Sequence, residues 1–97
     1  MIEMAEIDYH LTPFRAQRFA DLYRPIVPRV LAYGANGYSF YRYADDGDHF
    51  VHMSLWEDRA AFRRFWLSRE MEAMREKIVG LYVQPVIPNW ATILDRG

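Results

Sequence analysis

The chain contains no cysteine among its 97 residues. This absence excludes a disulfide framework, a thiolate nucleophile and any metal site built on cysteine ligands. No apolar run approaches the ~20 residues that a membrane-spanning helix needs. Neither sign of charge dominates, because twelve basic and thirteen acidic side chains leave a net charge of −1. Nucleic acids and anionic membranes are therefore not expected as partners.

What the chain does contain is apolar and aromatic. Hydrophobic residues make up 52% of it and aromatic residues 16%, which is far from the composition of a disordered protein. The length suits one domain over 1–97. The first six residues carry two glutamates and lack the basic start and apolar run of a signal peptide, so we expect a cytoplasmic location.

The first third of the sequence predicts a strand and a long helix. Apolar and polar residues alternate over 5–11, which is typical of a half-buried strand. Thr12 as the N-cap and a proline at the first helical position predict a helix over 13–33. Pro25 and Pro28 each lack a backbone donor and should kink or divide that helix.

The rest of the sequence predicts two strands, a second helix and a last strand, at 38–44, 50–56, 58–79 and 90–94. The Asp-Gly pair within 45–48 favours a hairpin turn between the two strands. Asp58 is placed to cap the second helix, and Ser68 indicates a break within it. The order β-α-β-β-α-β is that of a ferredoxin-like α+β fold.

Two helices cover only one face of a four-stranded sheet, yet both faces of the second and third strands are apolar. One face carries Tyr38, Phe40, Phe50 and Trp56, and the other carries Tyr41, Tyr43, Val51, Met53 and Leu55. A monomer would leave one of these sets in water. We therefore expect a homodimer that pairs the sheets about a two-fold axis, through the second set or, if the faces are reversed, the first.

The run Trp-Glu-Asp at 56–58 with Ala-Ala-Phe at 60–62 matches the pattern W-E-(S/D)-x-x-A-(F/Y). Residues 34–38 are similar to the usual entry into the second strand of the same family, without its proline. On these residues the chain resembles the antibiotic-biosynthesis-monooxygenase-like family of dimeric α/β barrels, over about residues 5–95. The family includes cofactor-free oxygenases of aromatic polyketides, haem-degrading enzymes and quinol oxygenases. The resemblance therefore implies fold and dimerisation more strongly than chemistry.

The resemblance also implies site residues. His52 takes the position that an Asn holds in the polyketide oxygenases, four residues before Trp56 and on the same face of the strand. It would accept a proton as a general base, and Arg75, which aligns with the family's helical arginine if one gap is allowed, would balance the negative charge that develops. The substrate-binding walls would come from Trp56, Phe62, Phe65 and Tyr23, with His10 as a further candidate. Phe62 replaces the family's tyrosine, so no hydroxyl is available there.

In the implied chemistry the deprotonated aromatic substrate itself reduces O₂, so we expect no cofactor and no metal. Residues 69–79 contain no histidine to serve as the axial ligand of a haem-degrading relative. His49 and His52 are three residues apart on a strand, so their side chains point to opposite faces and do not form a divalent metal site together.

Structural interpretations of the same residues stay open. His52 suits a hydrogen-bonded histidine of the sheet, the aromatic residues suit a core, and Arg75 suits a solvated helix face. Three functions follow: a cofactor-independent monooxygenase of a phenolic, anthrone or quinol-type substrate, a related polyketide cyclase or isomerase, or a non-catalytic dimer that binds a small ligand or another protein. The two enzymes require a cavity lined by Trp56 with a buried polar pair, whereas the third predicts a filled interior or a pocket without converging polar groups.

Overall fold

The computed structural model describes residues 1–97 as one four-stranded sheet with its helices packed on one face. In chain order the elements are β1 (Glu3–His10), α1 (Ala16–Tyr23), a 3₁₀ helix (Arg24–Tyr33), β2 (Gly37–Tyr43), β3 (Asp46–Trp56), α2 (Arg59–Trp66), α3 (Arg69–Ile78) and β4 (Asn89–Thr92). The strands lie in the order β2-β3-β1-β4, and every neighbouring pair is antiparallel. The predicted ferredoxin-like α+β fold is confirmed. None of the helices combines the length and the apolar character that crossing a membrane requires.

The first helix begins at Ala16, so the prediction of Thr12 as its N-cap is wrong. The backbone amide of Thr12 donates to the carbonyl of Leu81 over 3.0 Å, and the Thr12 hydroxyl donates to the same oxygen over 3.3 Å. Phe14 then adopts φ 67°, a left-handed conformation that a helix cannot include. The threonine side chain is therefore used to join the end of β1 to the segment after α3.

The prolines divide the predicted long helix, as expected. The α-helical part ends at Tyr23, and the chain continues as a 3₁₀ helix that contains Pro25 and Pro28. This helix ends at Gly34, whose φ of 108° is the left-handed conformation that glycine adopts without steric cost. The carbonyl of Val27 lies within the 3₁₀ segment and faces the sheet.

The β2–β3 hairpin turns at Ala44 and Asp45, so β3 begins at Asp46 and the predicted Asp-Gly turn lies inside the strand. The break predicted at Ser68 is confirmed. Its hydroxyl donates to the carbonyl of Phe65 at 2.7 Å and accepts from the amide of Met71 at 3.2 Å, which ends α2 and caps α3.

The helices pack on what we call the helix-covered face of the sheet. Its buried side chains on the two central strands are Ala5, Ile7, Tyr9, Phe50, His52, Ser54 and Trp56. The opposite side, here called the open face, carries Met4, Glu6, Asp8, His10, Ser39, Tyr41, Tyr43, His49, Val51, Met53 and Leu55. The second apolar set predicted from β2 and β3 does lie on the open face. The first strand adds polar side chains to this face, namely Glu6, Asp8 and His10.

Candidate functional site

His52 lies at the centre of the helix-covered face and is completely buried. Its Nε2 lies 3.1 Å from the carbonyl oxygen of Val27, and its Nδ1 lies 2.7 Å from the hydroxyl of Tyr23. A carbonyl oxygen only accepts, so Nε2 carries the hydrogen. Burial lowers the pKa of His52 from 6.5 to about 4, although the hydrogen bond to the Val27 carbonyl opposes the shift. The ring is therefore neutral at pH 7, and Nδ1 accepts the Tyr23 proton.

A second phenol extends this hydrogen-bonded chain. The hydroxyl of Tyr9 donates to the hydroxyl oxygen of Tyr23 over 3.4 Å. Burial raises the pKa of both phenols, so both remain protonated and act as donors. The direction of donation thus runs from Tyr9 to Tyr23 to His52 and then to the Val27 carbonyl. Every buried side-chain nitrogen and oxygen in the structure has a hydrogen-bond partner.

The four predicted wall residues pack around His52 as one aromatic cluster. The Tyr23 and Phe65 ring centroids lie 5.5 and 6.1 Å from that of His52, and Phe62 links Phe65 to Trp56 with centroid separations of 6.2 and 5.6 Å. The indole nitrogen of Trp56 donates to the hydroxyl of Ser54 at 2.7 Å. The cluster belongs to the continuous hydrophobic core, and none of the five principal cavities is lined by His52, Trp56 or Tyr23. The space that a substrate would need beside His52 is filled by these side chains.

Arg75 and His10 are not brought to His52. The guanidinium of Arg75 lies 4.4 Å from the ring centroid of Trp66 and donates to the Trp66 carbonyl. His10 lies on the open face, where its ring stacks on that of His49 at a centroid distance of 4.2 Å. The sheet itself separates His10 from His52, because the two side chains point to opposite faces.

The cavity nearest to the predicted wall residues is an aromatic groove between α2 and the segment that leads into β4. Its volume is about 380 Å³, and it is lined by Arg59, Ala60, Phe62, Arg63, Trp66, Pro88 and Trp90. Phe62 stacks against Trp66 at 6.0 Å and meets Trp90 edge-on at 5.2 Å. Phe62 also contacts Trp56, so the groove adjoins the buried aromatic cluster.

Two arginines give the aromatic groove a positive rim. The guanidinium of Arg59 lies 4.7 Å from the Trp90 ring centroid and is paired with Glu3 at 2.7 Å. Arg63, one helical turn further along α2, is exposed and has no ion-pair partner in the structure. Aromatic faces beside an unpaired guanidinium suit a flat ring that carries a negative charge.

Sequence reasoning identified Phe62 but not the rest of this groove. A detectable signal was present on α2, because Arg59, Phe62, Arg63 and Trp66 recur at intervals of three and four residues and so share one face of the helix. No sequence pattern of this kind links Trp90 to the groove. This residue reaches the groove only because β4 pairs with β1, opposite Ala5.

The sequence profile of the family described as antibiotic biosynthesis monooxygenase matches residues 3–77. The chain belongs to this antibiotic biosynthesis monooxygenase family. A comparison with curated proteins found no match.

Solved structures share the fold of this family member closely. A Nitrosomonas europaea protein that carries the same family name superposes with a TM-score of 0.85 at 13% identity, covering 96% of this chain and 90% of that one. The Mycobacterium tuberculosis protein Rv0793 gives 0.81 at 18% identity, with 99% and 98% covered. A variant of SnoaB from Streptomyces nogalater, a cofactor-independent oxygenase, gives 0.79 at 14% identity, with 98% and 95% covered. At these identities the likeness concerns the fold.

Proposed function

We propose that this protein is a cofactor-independent monooxygenase acting on a flat, weakly acidic aromatic compound of the phenol, anthrone or quinol type. The observation that carries the proposal is the aromatic groove, whose lining includes the rings of Phe62, Trp66 and Trp90 together with Arg63, an arginine without an ion-pair partner. Membership of the antibiotic biosynthesis monooxygenase family supports the reaction class.

The proposed reaction needs a deprotonated substrate and molecular oxygen. For an anthrone, loss of a proton gives a carbanion that passes electrons to O₂. One oxygen atom then becomes the new carbonyl oxygen of the substrate, and the other leaves as water with the two methylene hydrogens. A cation beside the ring favours the ionised substrate and the reduced oxygen species, which is the role we assign to Arg63.

His52 remains the proposed proton acceptor. For this role its acceptor nitrogen, Nδ1, must become accessible to the substrate. Its Nδ1 is occupied by the hydroxyl of Tyr23 at 2.7 Å. Since Tyr23 is itself a phenol, a phenolic substrate would bind His52 by taking the place of that hydroxyl. The step therefore requires the segment around the end of α1 to move away from the sheet. It also requires the Phe65 ring, which contacts both Phe62 of the groove and His52, to move aside.

For Arg75 we propose a positioning role in place of direct charge balance. Its guanidinium lies over one side of the Trp66 ring and its Nη2 donates to the Trp66 carbonyl. Trp66 in turn forms a wall of the aromatic groove. Arg75 would therefore act on the substrate through the orientation of this ring.

The experiment follows oxygen uptake on a panel of anthrones and hydroquinones without added metal or flavin, and binding by quenching of tryptophan fluorescence. Arg63→Gln should weaken binding of an ionised ligand by about two- to fivefold, the range of a partly exposed cation beside an aromatic ring. The matched control is Arg64→Gln, which removes the neighbouring charge of α2 outside the groove and should leave binding unchanged. A wild-type protein that neither binds nor oxidises any member of the panel would rule the proposal out.

A second candidate function is ligand binding without turnover. The filled interior around His52 favours it, because the base is completely buried and lines none of the five principal cavities. Saturable quenching by the same compounds with no oxygen uptake would select this candidate over the oxygenase.

We also propose that the protein is a homodimer formed through the open face. Tyr41 and Tyr43 on that face are 40% and 47% exposed, and Met53 and Leu55 beside them are only half-buried. Together with the buried Val51 they form an apolar surface across β2 and β3. A second copy related by a two-fold axis would cover this surface with its own.

A further inference from the structure

Two histidines and an aspartate lie together at one end of the open face. Asp8 and His10 are two residues apart on β1, so their side chains point to the same side of the sheet. His49 on β3 is the direct cross-strand partner of His10. The antiparallel register thus gathers three side chains of metal-binding types from the two central strands.

The donor atoms are close enough to share one ion. One nitrogen of each histidine and one oxygen of Asp8 lie within 4.8 Å of one another, and Nε2 of His49 lies 2.8 Å from Oδ2 of Asp8. A tetrahedral zinc ion with bonds of about 2.1 Å separates its ligand atoms by about 3.4 Å. Small rotations of the His10 side chain, which is exposed and has no protein hydrogen-bond partner, would close the remaining distance.

Stacking holds the central ligand of this cluster in place. The ring of His49 lies between those of His10 and Tyr43, with centroid distances of 4.2 and 4.0 Å and interplanar angles of 28° and 11°. The orientation of the His49 ring is therefore fixed by this stacking before a metal ion binds. Side chains on regular strands with a packed neighbour lose little freedom when they bind an ion.

We propose that Asp8, His10 and His49 bind a divalent transition-metal cation of the zinc type. Two imidazole nitrogens and one carboxylate oxygen suit Zn²⁺ and its first-row neighbours better than Ca²⁺ or Mg²⁺. In the single chain the exposure of His10 leaves the remaining coordination positions open to water, and the site lies next to Tyr43 of the surface proposed for the dimer. The site lies on the opposite side of the sheet from the aromatic groove, and it is independent of the proposed oxygenase reaction.

This proposal departs from the expectation of a metal-free protein. The sequence argument against a metal considered His49 together with His52, whose side chain lies on the other face of the sheet. It did not consider His49 together with His10 and Asp8. A hydrogen bond between Asp8 and His49 explains their contact without a metal. The cross-strand register likewise places His10 against the same ring without a metal. Only the metal proposal requires His10 to contribute to Zn²⁺ binding, and a measurement of Zn²⁺ binding by a His10 variant therefore separates the two interpretations.

The experiment is equilibrium dialysis and calorimetric titration of the untagged protein with Zn²⁺. The wild-type chain should bind about one ion, and its melting temperature should rise with added Zn²⁺. His10→Ala and Asp8→Asn should each weaken binding at least tenfold. His10 is exposed, so His10→Ala should fold as the wild type does, which a melt without metal checks. Glu6→Gln is the matched control, since it removes a neighbouring carboxylate from the same face of β1 and should leave binding intact.

Absence of saturable Zn²⁺ binding by the wild-type chain at micromolar concentrations would overturn the proposal. So would binding that survives both His10→Ala and Asp8→Asn unchanged, because the ion would then be held elsewhere.

Discussion

The hydroxyl of Tyr23 donates to Nδ1 of His52 over 2.7 Å inside a core that excludes solvent from both residues. This bond joins the end of α1 to the middle of β3, across 29 residues of chain. The carbonyl of Val27, which only accepts, fixes the hydrogen on Nε2 of His52 and so leaves Nδ1 as the acceptor of this bond. Stability, pH response and the proposed catalysis all depend on it.

The first prediction concerns Tyr23→Phe. This change leaves Nδ1 of His52 buried without a donor and removes the acceptor of the Tyr9 hydroxyl. The free energy of unfolding should fall by about 1–3 kcal/mol, the usual cost of an unsatisfied buried polar group. Chemical denaturation measures it. Tyr38→Phe, at a partly exposed tyrosine, should change the free energy little, and equal losses in the two variants would contradict this account.

The second prediction is a loss of stability in mild acid. The pKa of His52 is 6.5 ordinarily and about 4 in the folded protein, so the unfolded chain binds the extra proton first. Stability from this group is complete above pH 6.5, falls as the pH drops towards 4, and changes no further below that. The loss is on the order of 3 kcal/mol. The unfolding free energies of the wild type and of His52→Gln should be measured from pH 7 to pH 4. The difference between them should shrink as the pH falls, because only the wild type has a His52 that loses stability on protonation. A difference that is constant over that range would show that His52 does not titrate as stated.

The third prediction separates a catalytic His52 from a structural one. His52→Ala and Tyr23→Phe both break the same hydrogen bond, but only the first removes the base. If His52 accepts the substrate proton, His52→Ala should lower the rate of oxygen uptake by about 10²–10⁴-fold. Tyr23→Phe should keep turnover, because Nδ1 is then free for the substrate. Turnover lost to the same extent in both variants would assign His52 to the core alone.

The fourth prediction tests the dimer. The wild-type protein should sediment as a dimer at micromolar concentration, with an interface above ~1,000 Å². Met53→Glu places a charge at the middle of the open face and should yield monomers. Leu67→Glu adds the same charge at an exposed position at the end of α2 and should leave the dimer intact. A wild-type monomer would contradict the proposal directly.

Much of the fold was predictable because its signals are local. Strand alternation placed His52 and Trp56 on one face, and both are indeed buried beneath the helices. The break at Ser68 followed from the competition of its hydroxyl for backbone groups, and the division at Pro25 followed from the missing amide.

The prediction of Thr12 as an N-cap was wrong because the residue makes a long-range contact that local sequence patterns do not predict. Its hydroxyl bonds to the carbonyl of Leu81, which is 69 residues away in the chain. The predicted position of the hairpin turn was wrong because it depends on the pairing of two strands. The register of β2 against β3 pairs Tyr43 with Asp46 and so draws the Asp-Gly pair into the strand.

The sequence by itself determined the order of the elements, which side chains of each strand share a face and the family to which the chain belongs. Each of these depends on neighbours within a few residues, through backbone geometry and turn chemistry. Only the tertiary structure decided which side chains meet across strands. The pairing of β1 with β3 set His10 beside His49, and the pairing of β1 with β4 carried Trp90 to the aromatic groove. Strand register is a relation between distant segments, chosen by the packing of the whole core, and periodicity along one strand does not encode it.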